Sequence, residues 1–317
     1  MSQPMGVRML ITGGAGCLGS NLIEQWLPVG HQITVIDNFA TGKREVVPPM
    51  PGLEVVEGSV ADEALVYAVF SRHRPEVVVH AAASYRNPDD WAEDIHTNIL
   101  GSAHVARAAC AFGVSRLVNF QTALCYGRPR SLPIPVDHPT APFTSYGITK
   151  TAGEQFMLQS EVPTLSLRLA NVTGPRLAIG PIPTFYKRLK QGAPCFCSDS
   201  SRDFLDMTDF LAFMDLAIRR DAPTGIFNVS SGEARSISEV FRTVAEHVGC
   251  PSAEAPLRPI AADDVSVMAL DPAETEQAFG WRSRIGFRET VRRQLEWYDR
   301  YGVSDVHSHL KEPTVGQ

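Results

Sequence analysis

Tyr146 and Lys150 stand four residues apart in Ser145-Tyr146-Gly147-Ile148-Thr149-Lys150, where the chain reads as the start of a helix. That spacing sets both side chains on one face, a turn apart. A free phenol ionises near pH ~10 and a lysine near ~10.4. A fixed ammonium beside a phenol favours the phenolate, so the pair can act as a base near neutral pH. The same spacing on an amphipathic helix also fits a packed tyrosine with a surface lysine. What decides between them is whether the chain supplies a cofactor and a hydroxyl partner.

A cofactor cradle stands at the N-terminus. Val7-Arg8-Met9-Leu10-Ile11-Thr12 reads as a strand, stops at Gly13-Gly14-Ala15-Gly16, and after Cys17-Leu18-Gly19-Ser20 gives way to a helical pattern through Trp26 and Leu27. Gly13 allows the tight turn, Gly16 lets backbone N–H groups approach a pyrophosphate, and Gly19 lets the helix lie close to the strand. His31 to Ile36 is a second strand, closing on Asp37. An acid about 20 residues beyond the glycines suits hydrogen bonds to a ribose 2'-OH and disfavours a 2'-phosphate. NAD is therefore expected over NADP, although Lys43 and Arg44 lie close by.

Leu53 to Gly58 is a third strand, followed by Ser59, Val60 and Asp62; Asp62 either caps the next helix or bonds the adenine amine. Glu76 to Ala83 is a near-continuous apolar run, as in a parallel sheet covered on both faces. Its small residues Ala81, Ala82 and Ala83 would let a flat cofactor pass, and His80 reads as a packed strand histidine. Asp89 to Phe112 can form one long helix containing Asn98; Ser115 to Thr122 is a strand ending in a hydroxyl. Arg128 to Pro142 holds Pro129, Pro133, Pro135, Pro139 and Pro142, so it must be an irregular loop. Thr164 to Asn171 is another strand. This β-α alternation predicts an α/β fold, a doubly wound Rossmann-type parallel sheet.

After Asn171 the chain turns rich in glycine and proline. Helices are expected at about 209–218, 236–248 and 288–301, the last with Trp297 and Tyr298 on its apolar face; a late strand, Gly225 to Val229, returns to the sheet. The expected division is a dinucleotide-binding domain, 1–171 with a returning segment at about 204–235, and a smaller mixed substrate domain from 172–203 and 236–317. The cleft between them would be the binding site.

Composition narrows the function classes. A net charge of -6 argues against binding nucleic acid or an anionic membrane. No run is long and apolar enough for a membrane span, and the first residues do not read as a secretory leader, so a cytoplasmic protein is expected. The six cysteines lack zinc spacing, so neither a metal nor disulfides are expected.

With these residues in hand, the chain resembles the extended short-chain dehydrogenase/reductase family, in its nucleotide-sugar epimerase/dehydratase branch. The markers are Gly13-x-x-Gly16-x-x-Gly19 and Asp37-Asn38-Phe39-Ala40-Thr41-Gly42, the latter similar to the adenosine-ribose segment of UDP-galactose 4-epimerases. Thr122-Ala123-Leu124-Cys125-Tyr126-Gly127 resembles the segment carrying the family's catalytic Ser/Thr, and Tyr146 and Lys150 follow at the family's separation. The resemblance implies that Gly13, Gly16, Cys17, Leu18, Gly19, Asp37, Asn38, Thr41, Gly42, Ser59, Val60, Asp62, Ala81, Ala82, Ala83 and Asn98 hold NAD, with Tyr146 and Lys150. It implies substrate contacts from Asn171 and Arg202, and from Arg258.

The implied chemistry is hydride removal from C4 of the sugar while Tyr146 takes the O4 proton. Lys150 and the positive nicotinamide would keep the phenol's pKa low, Thr122 would position O4, and the hydride would return to the other face of a 4-keto sugar. Relatives that dehydrate carry Asp-Glu directly after the catalytic Thr, and decarboxylating ones a Glu two places on; here stand Ala123 and Leu124. Cys125, three places after Thr122, reads as packing. What remains is 4-epimerisation, with a dehydratase or ketoreductase as one rival and a non-catalytic NAD sensor as another.

Arg176, Arg202 and Arg258 can pair with a diphosphate through planar forks, as for UDP, or form ordinary salt bridges. Ser84 and Arg86 follow the strand beside the nicotinamide site; Arg86 could neutralise a uronic acid or bind an amide, or face solvent as a loop residue. Phe196, between Cys195 and Cys197, could stack on uracil or sit on a buried edge strand. The family also implies a homodimer through the helices 89–112 and 145–160.

Overall fold

Apolar runs of four to seven residues become strands, and the alternation of their side chains sets up two buried layers. The structure is a computed structural model that describes residues 6–85, 87–261 and 264–307. In order come β1 (Arg8–Thr12), α1 (Cys17–Trp26), β2 (Gln32–Asp37), β3 (Leu53–Glu57), α2 (Glu63–His73) and β4 (Val77–His80). Then follow α3 (Trp91–Asp94), a π-helical segment (Ile95–Gly101), α4 (Ser102–Ala111), β5 (Arg116–Thr122), α5 (Ser145–Leu158) and β6 (Thr164–Leu169). The second half holds β7 (Asn171–Thr173), α6 (Pro181–Lys190), β8 (Cys197–Ser198), β9 (Ser201–Asp206), α7 (Met207–Ala217) and β10 (Gly225–Val229). It ends with β11 (Ala234–Ser236), α8 (Ile237–His247), β12 (Leu257–Arg258), β13 (Val267–Met268), α9 (Ala273–Phe279) and α10 (Phe287–Tyr301).

The main sheet has seven strands in the order β10-β6-β5-β4-β1-β2-β3, and every pairing in it is parallel. The order reverses at β1, between β2 and β4, so a crevice opens outside the carboxyl ends of those strands. Met9 and Ile11 face a core shared with Leu22 and Trp26 of α1 and with Phe210 and Phe213 of α7. Leu10 faces the opposite core, with Phe70 of α2 and Val105 of α4. A third core, around Phe185, Phe204, Phe241, Val291, Leu295 and Tyr298, belongs to the C-terminal half, with Trp297 at its edge.

A smaller mixed sheet has the order β11-β9-β13, with β7 also on β9, and β12 pairs with β8. Phe204 packs in the third core, whereas Leu205, Met207 and Phe210 pack in the first.

Three elements differ from their sequence reading. The apolar run ending at Ala83 leaves the sheet at His80, and Ala82 N donates instead to Thr12 Oγ1 at 3.3 Å, over the end of β1. The long helix begins at Trp91 and passes through a π-helical segment where Asn98 bonds outside its own helix. The strand expected over 164–171 divides at Ala170, because β7 pairs with β9 rather than with β5. Among the described residues no helix is long and apolar enough to cross a membrane. Nor do three His, Cys, Asp or Glu residues gather there as a metal would need. All six cysteines are free thiols.

Candidate active site

Helix α5 is held on two sides. Thr144 caps it by accepting from Gly147 N at 3.1 Å. Toward the π-helical segment, Ser145 Oγ donates to Asp94 Oδ2 at 2.6 Å and Asn98 Nδ2 donates to Thr149 Oγ1 at 3.0 Å. A turn further on, a Cβ on Gly153 would lie 2.3 Å from Asn98 O, so only glycine lets the helices approach this closely. Ser145, Thr149 and Gly153 thus form the docking face. Tyr146, Lys150 and Glu154, each one residue on, share the adjoining face.

Toward the sheet, Gln121 Nε2 donates to Lys150 O at 3.0 Å, and Gln121 Oε1 accepts from Thr122 N at 2.7 Å. One buried amide therefore fixes Thr122 against Lys150. Thr122 Oγ1 accepts from Leu124 N at 3.2 Å, which leaves the hydroxyl hydrogen to donate outward.

Lys150 is buried, and burial lowers its pKa to about 8 while Glu154 opposes the fall. Tyr146 corrects the sequence reading. Burial pushes its phenol above the ordinary value, and Tyr85 and Asp94 push it further. Desolvation of the phenolate is the largest cause of the rise. Tyr85 packs edge-on against the Tyr146 ring, with centroids 6.2 Å apart. His80, between Thr12 Oγ1 at 2.8 Å and Ser102 Oγ at 3.1 Å, is lowered to about 3 by burial and Lys150, and so is neutral. Cys125 is buried, and burial raises its thiol to about 12; it packs with Tyr126 and Ile134.

At the switch point Gly13 has φ +69, and a Cβ there would meet Ala82 N at 2.7 Å. The same atom on Gly19 would lie 2.6 Å from Gly14 Cα, so α1 rests directly on the turn. No side chain caps α1 at Gly16 and no acid stands in its first turn, so the N–H groups at Cys17 and Leu18 face an anion site unopposed. Asp37 is buried at the end of β2. Its Oδ2 accepts from Ala15 N and its Oδ1 from Phe39 N, both at 2.8 Å, while burial raises its pKa. Each oxygen keeps a lone pair for a ribose hydroxyl. This uncapped turn and its buried acid fit a dinucleotide. Lys43 pairs with Asp305 at 2.8 Å and Arg44 with Glu57, so both nearby cations are engaged.

The remaining predicted residues divide. Asn38 Oδ1 accepts from Ala40 N at 3.1 Å, Thr41 is exposed, and Gly42 lies against Ala15. Ser59 Oγ accepts from Ala61 N at 3.1 Å, Val60 is buried, and Asp62 caps α2 by accepting from Leu65 N at 3.0 Å. Asn98 accepts from Ser84 N and donates to Ser84 O, both at 2.9 Å. With its bond to Thr149, that uses its whole amide within the protein. Ser84 is thereby tied to α5; Arg86 lies outside the described residues.

Asn171 Nδ2 donates to Asp203 O at 2.9 Å. Arg176 donates to Asn21 Oδ1 at 3.0 Å and pairs with Glu24, so its fork is committed to α1. Arg202 donates to Ser201 O and Val265 O at 2.8 Å and pairs with Asp264. Arg258 stacks 4.3 Å from the Phe196 ring centroid, and its buried Nη1 has no hydrogen-bond partner among the described residues. Sequence reasoning missed Gln121 and Glu154. A polar residue inside the apolar run of β5, and an acid one turn beyond Lys150, were the available signals.

A doubly wound parallel sheet with an uncapped glycine turn at its switch point defines a Rossmann-type dinucleotide-binding protein. The chain belongs to the NAD dependent epimerase/dehydratase family, which matches residues 9–230. It is 31% identical over 305 residues to a UDP-glucose 4-epimerase of Corynebacterium glutamicum, covering 87% of this chain and 90% of that one. It is similar to the crystal structure of Bordetella bronchiseptica WbmG in complex with NAD and UDP, with 62% identity and a TM-score of 0.93, over 98% of this chain and all of that one. The UDP-glucose 4-epimerase of Thermotoga maritima with UDP-glucose has a TM-score of 0.85 at 27% identity, over 92% and 99% of the two chains.

Proposed function

We propose that this protein is a cytoplasmic, NAD-dependent nucleotide-sugar 4-epimerase that acts on a UDP-hexose or UDP-hexuronic acid. One observation carries the choice of reaction. The turn after Thr122 offers the apolar Ala123 and Leu124, so no carboxylic acid stands there to carry protons across C5–C6 or to assist decarboxylation. Tyr146 and Thr122 are left to serve the O4 hydroxyl. The relatives named UDP-glucose 4-epimerase support this reading, and the UDP held by WbmG supports the nucleotide.

NAD, when bound, supplies an acceptor that takes a hydride from C4 and gives it back. The chain's residues do the rest. Tyr146 removes the O4 proton and later returns it. Lys150, charged and buried, stabilises the phenolate and holds the nicotinamide ribose. Thr122 donates to O4 and keeps it beside the phenol. The N–H groups at Cys17 and Leu18 take the pyrophosphate and Asp37 the adenosine ribose. Phe196 and Arg258 form a flat, cationic surface suited to uracil and a phosphate.

The same reading assigns residues 1–171, with the returning segment at about 204–235, to the cofactor and residues 172–203 and 236–317 to the nucleotide sugar. Trp91, Ile95, Leu100, Ile148 and Phe156 are exposed on the helical segments 91–111 and 145–158, which supports a homodimer through those helices. The test is to denature the purified protein, identify the released cofactor, and incubate the intact enzyme with UDP-hexoses and UDP-hexuronates without added cofactor. Stoichiometric NAD and C4-inverted product are expected. An enzyme that turns over only with added NAD(P)H would be a ketoreductase instead.

A further inference from the structure

Glu154 lies a turn beyond Lys150 on the same face of α5 and has no part in the steps above. It is 1% exposed; its Oε1 accepts from Ser166 Oγ at 2.7 Å and its Oε2 from Arg168 Nη2 at 3.0 Å. Arg168 is itself 4% exposed, donates to Val136 O at 3.2 Å and lies 4.8 Å from the Tyr126 ring centroid. A buried ion pair of this kind adds little stability over an apolar pair of the same volume. Stability therefore does not account for a carboxylate here, whereas Lys150 gives it a use. An ammonium taken out of water drifts toward its neutral form, and a nearby anion reverses the drift. We propose that Glu154 is a positioning residue for Lys150, clamped by Ser166 and Arg168 so that a fixed negative charge keeps the buried ammonium protonated.

This rests on the role proposed for Lys150 above. Tyr146 and Glu154 stand one turn to either side of Lys150 on its own helix, and Glu154 and His80 of β4 interact with its charge. Burial keeps the phenol and the imidazole neutral, so Glu154 is the fixed anion of the set. Behind it stand Arg168 of β6, whose charge opposes the effect, and the neutral Cys125 and Tyr126. Lys150 is lowered by burial and raised by Glu154, to about 8.

The test reads the lysine directly and needs no sugar, so it is independent of which reaction the enzyme performs. The chain has five lysines, Lys43, Lys150, Lys187, Lys190 and Lys311. The purified protein with its bound cofactor, labelled with 13C at lysine Cε, therefore gives few enough NMR signals to titrate singly, with Lys150→Met identifying its peak. In Glu154→Gln the Lys150 midpoint should fall by about one pH unit, the scale of a partly offset charge one helical turn away. Because that variant leaves Arg168 unpaired, the double variant E154Q/R168M removes both charges. There the midpoint should fall by less, and in Arg168→Met alone it should rise. Unchanged midpoints in the folded double variant and in R168M would overturn the proposal, as would a rise in E154Q.

Discussion

Tyr146, Lys150 and Thr122 carry the proposed chemistry, and each answers to a separate change. Tyr146→Phe keeps the ring and loses the base; turnover should fall on the order of a hundred- to ten-thousand-fold while bound NAD is retained. Thr122→Ala removes one hydroxyl donor and should cost on the order of a hundred-fold in kcat, with its largest effect on the chemical step. The two pKa shifts set the pH profile. Tyr146 starts high and must lose its proton, so kcat/KM rises as the pH climbs from the acid side. Lys150 must keep its proton with a pKa of about 8, so above that value the loss of ammonium offsets the further gain of phenolate. A steady-state profile should therefore climb with pH and level off near pH 8. Tyr146, Lys150 and Asp37 were legible in the sequence because spacing and strand ends place them. Glu154 and Gln121 were not, because their partners, Ser166 and Arg168 or Thr122 and the Lys150 carbonyl, are brought together by the packing of α5 on β5 and β6.

The elements show where local pattern stops being enough. The strand-turn-helix unit over 8–26 could be read because glycine, apolar run and helical period agree. The π-helical segment could not. It depends on Asn98 bonding both backbone groups of Ser84 and the hydroxyl of Thr149, which are distant in the chain. The docking of α5 on that segment turns on Gly153. Gly153→Ala drives a methyl into Asn98 O and Ser102 Oγ, and should destabilise the protein by about 1–3 kcal/mol despite alanine's better helix propensity. Thermal or urea unfolding checks it; an unchanged midpoint would mean the helices can separate at no cost.

At the scale of the molecule, the parallel sheet was legible because its strands are long, apolar runs. The second sheet was not, since β7, β8, β11, β12 and β13 hold two or three residues each and pair across the chain. The segment 302–307 after α10 was equally opaque: His307 bridges to Ile179, and Ser304 and Asp305 meet Lys43 in the loop after β2. That contact ties residues 304–305 to the loop after β2, next to the proposed cofactor site, so Lys43→Ala should speed NAD loss on prolonged dialysis, followed by the ratio of absorbance at 260 and 280 nm. Ile148→Glu combined with Phe156→Glu should yield monomers by light scattering if the exposed face of α5 joins two copies. The account stands on a hydride that leaves C4 and returns to C4 without meeting solvent. Turnover of a UDP-hexose or UDP-hexuronate substrate in deuterium oxide, followed by proton NMR of the sugar ring, tests this directly. The account predicts inversion at C4 with the C4 proton fully retained and no deuterium at C3 or C5. Deuterium at C4, or exchange at C5 with loss of water, would contradict it.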